Sequence, residues 1–270
     1  MTTNQTRARA LPFSMAQLPG LLAELEEPGY RQRQIQRWVY QRLVSDPMAM
    51  TDLPKPLREQ LAERLHAVPL TPIREVAADN GLTRKRLFRL DDGQVVESVL
   101  MSYQATARGR ARSTVCVSSQ VGCAVGCPFC ATGLGGFVRN LDADEIVGQV
   151  LSFARELRDA DPDGHVTNVV FMGQGEPLAN IEQVWRAVEI LNSPQCFGLG
   201  ARHVTISTSG LAPRIVELAD RGVQVGLAVS LHAPTDELRD RLVPVNRRYK
   251  LAELLEACQH YTTKTGRRVS

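Results

Sequence analysis

The chain has 270 residues, of which 43% are hydrophobic, and a formal net charge of +3 at neutral pH. This length and composition predict a globular protein with one large or two modest domains. No apolar stretch is long enough to span a bilayer, and no apolar run follows Arg7 and Arg9 near the N-terminus. These features exclude a membrane-spanning protein and predict a cytoplasmic one.

The charge is unevenly distributed along the chain. Residues 1–116 carry 17 Lys and Arg against 12 Asp and Glu, whereas residues 117–270 carry 15 against 17. A basic surplus in the first part is compatible with a partner that carries phosphates, although many domains without such a partner have a similar surplus.

Apolar residues recur at steps of three and four between residues 14 and 65, which predicts a small helical domain over residues 1–70. Its segment 30–42 interleaves four arginines with Tyr30, Trp38 and Tyr40, a pattern that could follow an RNA backbone and stack on bases. The alternative, which is the more common arrangement, places Trp38 in the core and the arginines in water.

Strand patterns replace the helical ones over residues 71–112. Residues 82–90 and 94–101, joined by an Asp-Asp-Gly turn, predict a β-hairpin linker. Glu97 shares one side of its strand with three apolar residues. A carboxylate in that position lies either at a strand margin or in a functional site, and the margin is the commoner case.

Residues 113–270 alternate between strand and helix patterns, which predicts parallel strands with right-handed crossovers. The predicted strands are 113–118, 167–172, 203–208 and 223–230, and the predicted helices are 142–157, 181–191, 212–219 and 251–261. Ligands bind such sheets at the carboxyl ends of the strands. The candidate motifs all follow these strand ends.

Three cysteines lie within eight residues at the spacing CxxxCxxC: Cys123, Cys127 and Cys130. Cysteine thiolates are the usual ligands of iron-sulfur clusters, one for each iron. Three of them can hold three irons of a 4Fe-4S cube and leave the fourth iron open to a substrate or cofactor.

A zinc site is the alternative for the same loop, because zinc also binds sets of three cysteines and one histidine. The candidate fourth ligands are His165, His203 and His232. Zinc loops more often have the spacing CxxC, which favours the cluster. The function that this alternative implies is a zinc-stabilised RNA-binding module without catalysis.

Polar residues and glycines follow the later strands. Two glycines in the segment 173–177 allow close approach of the backbone to a ligand, and Glu176 can accept a hydrogen bond from a ligand ammonium group. Ser207, Ser230 and His232 offer polar side chains at the next two strand ends. Each of these three, taken singly, is more commonly a capping or turn residue.

Together these motifs resemble the RlmN/Cfr family of radical S-adenosylmethionine (SAM) RNA methyltransferases. The resemblance rests on the segments 30–40, 116–130, 173–177, 205–210 and 230–234. It implies an α/β fold with a radical SAM partial (βα)6 barrel over residues 113–270. The small N-terminal helical domain would bind RNA, and the hairpin would link the two.

The resemblance also implies roles for individual residues. Cys123, Cys127 and Cys130 would bind one 4Fe-4S cluster. The residues that would line the SAM site are Gly175, Glu176, Ser207, Ser230, Leu231 and His232. Glu97 aligns with the base that accepts a proton from the substrate, and Cys116 with a resolving thiol that forms a transient disulfide. Without the resemblance, Cys116 would be interpreted as a core residue.

The implied reaction is methylation of carbon 2 of an adenosine in large-subunit (23S) ribosomal RNA and in transfer RNA. Methylation of carbon 8, as in Cfr-like resistance enzymes, is the alternative. In this chemistry one SAM methylates an enzyme cysteine, and a second SAM is reduced to a 5′-deoxyadenosyl radical that activates the methyl group. A flavodoxin or ferredoxin is implied as electron donor, and we expect a monomer.

Two residues of the family pattern have no counterpart in this sequence. They are the methyl-carrying cysteine and a SAM-site asparagine, which lie near the C-terminus in the family. Cys258 has the helical spacing of a core residue and Cys196 lies in a loop, so neither takes the methyl-carrying role. We therefore expect a C-terminally truncated barrel of four strands and the beginning of a fifth. Such a chain would bind the cofactors without completing methyl transfer.

Overall fold

A computed structural model describes residues 14–105, 111–222 and 224–270. These residues form two compact units that divide between Val68 and Pro69. Arg7, Arg9 and the first residue of the strand predicted at 223–230 lie outside the described ranges. No helix within those ranges is both long and apolar enough to cross a membrane.

The first unit consists of short helices, as the apolar spacing predicts. They are α1 (Leu18–Glu24), α2 (Tyr30–Gln36) and α3 (Lys55–Arg64), and α2 continues into a π-helical turn, Arg37–Gln41. The apolar stripe of α1 is buried at Leu18 and Leu21, and that of α3 at Leu57 and Leu61. Burial of these leucines is the main source of stability for helices this short.

Trp38 and Tyr40 are core residues of the first unit. Both are buried, and the indole N–H of Trp38 donates a hydrogen bond to Asp52. The Arg42 guanidinium lies 4.0 Å from the centroid of the Trp38 ring. Tyr30, in contrast, is 47% exposed. The core position is therefore confirmed for Trp38. Tyr30 is the exposed member of the trio, and the Arg31 guanidinium lies 4.9 Å from the centroid of its ring.

The second unit is built on a seven-stranded sheet with the order β1-β2-β3-β4-β7-β8-β9. Its strands are β1 (Leu70–Ala78), β2 (Thr83–Leu90), β3 (Val95–Tyr103), β4 (Arg112–Cys116), β7 (Asn168–Phe171), β8 (Val204–Thr208) and β9 (Gly226–Val229). Strands β1 to β4 pair antiparallel with one another. Strand β4 also begins the parallel part of the sheet, which continues through β7, β8 and β9. A separate ribbon pairs β5 (Gln120–Gly122) with β6 (Phe137–Asn140).

Helices connect the parallel strands. They are α4 (Ala131–Leu134), α5 (Ala143–Ala160), α6 (Ile181–Asn192), α7 (Ala212–Asp220), α8 (Asp236–Leu242) and α9 (Leu251–Thr265). The α/β class and the parallel order are confirmed. The described strands form an open sheet, not a closed barrel. Val269 makes a parallel bridge to Leu227, where the sequence predicted the start of a fifth parallel strand.

The sequence prediction lacked β1, the β5–β6 ribbon and the short helices α4 and α8 of this unit. β1 adds a third strand to the predicted hairpin, and it is exposed at every residue after Leu70, so it has no apolar alternation to reveal it. The ribbon was also missed, because β5 is only three residues long.

The two faces of the sheet differ in burial. Buried and half-buried residues alternate along β7 and β8. The register places Cys116 opposite Val170, and Val170 opposite Thr205, on the more open face. Ser207 shares this face, because it lies two residues beyond Thr205.

Ion pairs fasten β2 to α5 on the opposite face. Arg84 and Arg86 both pair with Glu156, and the Arg86 guanidinium lies 4.5 Å from the centroid of the Phe153 ring. Side chains alternate across a strand, so Lys85 points to the open face. The candidate site residues of the antiparallel strands therefore lie on the same face of the sheet as those of the parallel strands.

Tyr261 provides a test of how α9 is held. Its side chain is fully buried, and its hydroxyl donates a hydrogen bond of 2.8 Å to the carbonyl of Val225. Tyr261→Phe leaves that carbonyl without its partner, so we expect the free energy of unfolding to fall by about 1–3 kcal/mol. Urea unfolding measures the loss. Tyr103→Phe, at an exposed tyrosine, is the matched control, and equal losses in both variants would contradict the prediction.

Candidate active site

The three clustered cysteines lie on a loop that the β5–β6 ribbon closes. The backbone N–H of Cys123 donates to the carbonyl of Gly136 at 2.8 Å, and the N–H of Cys130 donates to the carbonyl of Cys127 at 3.0 Å. All six cysteines of the chain are free thiols, and these three are half-buried. The loop therefore holds three available thiols in a short, hydrogen-bonded segment.

Gly122 forms the neck of this loop. Its φ is +75°, and a Cβ atom at this position would lie 1.9 Å from the carbonyl oxygen of Gly136. Both the left-handed conformation and the close backbone approach require glycine. The neck thus fixes the path of the chain into Cys123.

The donor set fits an iron-sulfur cluster. Burial, together with the charges of Cys123 and Cys130, raises the pKa of Cys127 to about 11, so the thiols are close enough to interact. Within the described ranges, however, no three His, Cys, Asp or Glu side chains are grouped so that they could hold a single metal ion. A cluster binds each thiolate through a different iron. Three neighbouring thiols on one loop fit the donor set of such a cluster.

Glu176 lies at the end of β7 and turns its carboxylate inward. One oxygen accepts hydrogen bonds from the backbone N–H and the hydroxyl of Ser209, at 2.6 and 2.7 Å, and the other accepts from the N–H of Leu178. Burial raises the pKa of Glu176, and these donors partly oppose the effect. Its hydrogen bonds join the loops after β7 and β8, while its contact with a ligand ammonium remains a prediction.

Gln120 joins the ribbon to the glycine turn after β7. Its side chain accepts from the N–H of Glu176 and donates to Asn140, both at 2.8 Å. Gly175, with φ of +101°, packs so closely on Gln120 that no Cβ would fit. Nearby in the chain, the side-chain oxygen of Gln174 is buried without a hydrogen-bond partner among the described residues. Such an unmatched acceptor suits the ammonium group of SAM.

The end of β9 contacts the cysteine loop. The Phe129 ring lies 4.8 Å from the His232 ring, edge to face, and His232 has a φ of +59°. Ser230 donates its N–H to the carbonyl of Thr208, and Leu231 is 43% exposed. The structure thus brings the predicted SAM segment 230–232 against the predicted cluster loop.

Glu97 and Cys116 are neighbours on the open face of the sheet. Cys116 lies directly opposite Val99, and Glu97 is two residues from Val99 on the same side of β3. Burial raises the pKa of Cys116 to about 11, and the charge of Glu97 contributes to the increase. Lys85 lies 3.2 Å from the Glu97 carboxylate. Glu97 therefore occupies a paired, half-buried position beside a thiol.

Sequence reasoning assigned no role to three residues that organise this site. Gln120 and Ser209 lie inside the recognised segments, but their partners come from distant parts of the chain. Arg239 is fully buried and bonds the loops after β8 and β9. Charged residues of short helices are normally exposed, so no local pattern reveals it.

The open sheet, the three-cysteine loop and the glycine turn at the strand ends define a radical SAM enzyme. The family model described as "Radical SAM superfamily" matches residues 117–268. The model described as "Ribosomal RNA large subunit methyltransferase N-terminal domain" matches residues 11–67.

Known proteins narrow the assignment. "Probable dual-specificity RNA methyltransferase RlmN" of Roseiflexus castenholzii is 47% identical over 100% of this chain and 74% of its own length. The protein of that name from Desulfitobacterium hafniense is 51% identical over 96% and 72%. A radical SAM methyltransferase structure from Sphaerobacter thermophilus matches with a TM-score of 0.87 at 53% identity, over 95% of this chain and 73% of that one. The chain belongs to the RlmN family of radical SAM RNA methyltransferases.

The neck of the cysteine loop generates a prediction about metal content. Gly122→Ala forces a Cβ into the carbonyl of Gly136, so the loop must shift and lose its ligand geometry. After anaerobic reconstitution we expect wild type to hold about four irons per chain and Gly122→Ala to hold less than about half as many. Gly135→Ala, where the Cβ meets only ordinary contacts, is the control. Full iron content in Gly122→Ala would refute the role of the neck.

The proximity of Glu97 and Cys116 can be measured without any cofactor. Glu97→Gln removes a negative charge that raises the pKa of Cys116, so more thiolate is present at pH 8. We expect alkylation of Cys116 by iodoacetamide to become about two- to fivefold faster, as followed by peptide mass spectrometry. Cys196, whose raised pKa comes from burial, should react at an unchanged rate. An unchanged rate at Cys116 would show that the two groups are not coupled.

Proposed function

We propose that this enzyme methylates carbon 2 of an adenosine in large-subunit ribosomal RNA and in transfer RNA, with one 4Fe-4S cluster and SAM. The observation that carries the proposal is the placement of Glu97 beside Cys116 on the open face of the sheet. A base next to a thiol suits a reaction that removes a proton from the substrate and then breaks a bond to sulfur. The relatives are named dual-specificity RNA methyltransferases, and the family model for the N-terminal domain is described for large-subunit ribosomal RNA, which supports the proposal.

The cofactors are assigned to the strand ends. Cys123, Cys127 and Cys130 would hold the cluster. The residues proposed to line the SAM site are Gly175, Glu176, Ser207, Ser230, Leu231 and His232. Within this set Glu176 acts mainly by fixing the glycine turn, since its oxygens bond Ser209 and Leu178. When bound, the cluster and SAM supply the one-electron cleavage of a carbon-sulfur bond, which no protein side chain can perform.

The protein side chains handle the protons and the sulfur exchange. Glu97 would accept the proton from carbon 2 of the adenine, and Lys85 holds the carboxylate in place through its ion pair. Cys116, as a thiolate, would attack the sulfur of the methyl-carrying cysteine to form a transient disulfide. That cysteine has no counterpart among these 270 residues, so the step needs a thiol that they do not supply. The sulfur-sulfur bond would form as the carbon-sulfur bond breaks, and its electron pair would pass to the methylene carbon of the product, which takes up a proton to become the methyl group.

The partners follow from the same proposal. A flavodoxin or ferredoxin would deliver the electron to the cluster. The helical unit would contact RNA through Tyr30, which is 47% exposed, and through the exposed Arg33 and Arg37. Exposed aromatic and arginine side chains can stack on unpaired bases and contact phosphates.

Nucleoside mass spectrometry tests the substrate and the position of methylation together. Ribosomal and transfer RNA are compared from cells with and without the gene that encodes this chain. We expect 2-methyladenosine to disappear from both RNA classes when the gene is deleted, and a gene copy with Cys127→Ala to leave it absent. Loss of 8-methyladenosine instead would establish the alternative position. Unchanged nucleosides would refute the proposal.

A further inference from the structure

Arg239 is the largest fully buried side chain of the described structure. It lies on α8, and its guanidinium donates hydrogen bonds to the backbone carbonyls of Ser209 at 2.5 Å, Leu231 at 3.1 Å and Ser230 at 3.4 Å. These carbonyls belong to the loops after β8 and β9. One side chain therefore hydrogen-bonds both of the loops that follow these two neighbouring strands.

The charge of Arg239 has no direct carboxylate partner. In the described part of the chain its guanidinium also donates a hydrogen bond to the side-chain oxygen of Asn246, at 2.8 Å. Asn246 in turn donates to the carboxylates of Asp236 and Asp240. A buried charge without a paired ion is costly unless another charge compensates it. The positive charge of Arg239 is therefore only partly offset by the protein itself.

The cysteine loop lies within electrostatic range of this cation. Of the negative groups around it, Asp236 acts most strongly on Arg239, followed by Cys127 and then Asp240. His232, directly after the clamped carbonyl of Leu231, contacts Phe129 of the same loop. Glu176 approaches Arg239 from the far side of Ser209, but burial raises the pKa of Glu176 and disfavours its charged form. The cysteine loop is thus an anionic neighbour of Arg239 that lies outside α8.

We propose that Arg239 is a positioning residue for the loops after β8 and β9, where the cofactors would bind, with two effects. Its guanidinium N–H groups hold the backbone of Ser209, Ser230 and Leu231 in place, and this backbone forms one wall of the SAM site. Its charge offsets the negative charge of the thiolate-bound cluster and favours the reduced form, because the added electron is attracted to the buried cation. This inference rests on the function proposed above.

Three variants of the full chain, reconstituted anaerobically, separate the two effects. Arg239→Met removes both the charge and the donors, whereas Arg239→Lys keeps the charge but loses the planar fork. Arg241→Met makes the same change as Arg239→Met at an exposed arginine of the same helix. Equilibrium dialysis gives the Kd for SAM, and a redox titration followed by electron paramagnetic resonance gives the reduction potential of the cluster.

We expect Arg239→Lys to bind SAM about tenfold more weakly than wild type, with a reduction potential close to that of wild type. Arg239→Met should weaken SAM binding at least as much and should also shift the potential to a more negative value. Arg241→Met should change neither quantity.

Wild-type SAM affinity in Arg239→Lys would overturn the positioning role, even if Arg239→Met fails to fold. An unchanged potential in a folded Arg239→Met would overturn the electrostatic role. A wild-type chain that retains neither cluster nor SAM would instead refute the proposed function, so the two failures are distinguishable.

Discussion

The hydrogen bonds between Glu176 and Ser209 are the interaction on which the site depends. Parallel strands end in loops whose backbone groups have lost their sheet partners, and buried groups of this kind need replacements. Glu176 supplies an acceptor for the loop after β8 while its own backbone N–H is held by Gln120. The strand ends and the cysteine ribbon are thus fixed by side chains, in a region where regular sheet bonding has stopped.

Ser209 occupies the centre of this arrangement. Its N–H and hydroxyl donate to Glu176, and its carbonyl accepts from Arg239. An acidic and a basic side chain, both buried, therefore approach one residue from opposite sides. The result is a rigid edge beside an exposed cysteine loop, and rigidity of this kind lowers the cost of ordering a ligand when it binds.

The parts of the fold that could be predicted are those encoded by local patterns. The spacing of Cys123, Cys127 and Cys130 is visible within eight residues, and the parallel strands are apolar runs separated by helical periods. β1 could not be predicted in this way, because pairing with β2 holds it in the sheet while its side chains stay exposed. Its strand state follows from its partner and not from its own composition.

The site shows the same division between local and distant information. The resemblance to a known family assigned roles to Glu97 and Cys116, but their closeness depends on the register of β3 against β4, which no local pattern reports. The burial of Arg239 likewise depends on carbonyls from two other loops. Residues whose partners are far away in the chain were therefore the ones that sequence reasoning left without a role.

The closeness of Glu97 and Cys116 has a consequence for the reactivity of the thiol. A carboxylate that has captured a proton no longer repels a neighbouring thiolate, so uptake of a proton by Glu97 lowers the pKa of Cys116. Burial stays the larger cause of the raised pKa, so loss of this charge makes the thiol more reactive without restoring its ordinary pKa. Two adjacent strands thereby link the protonation of one side chain to the reactivity of the sulfur on its neighbour.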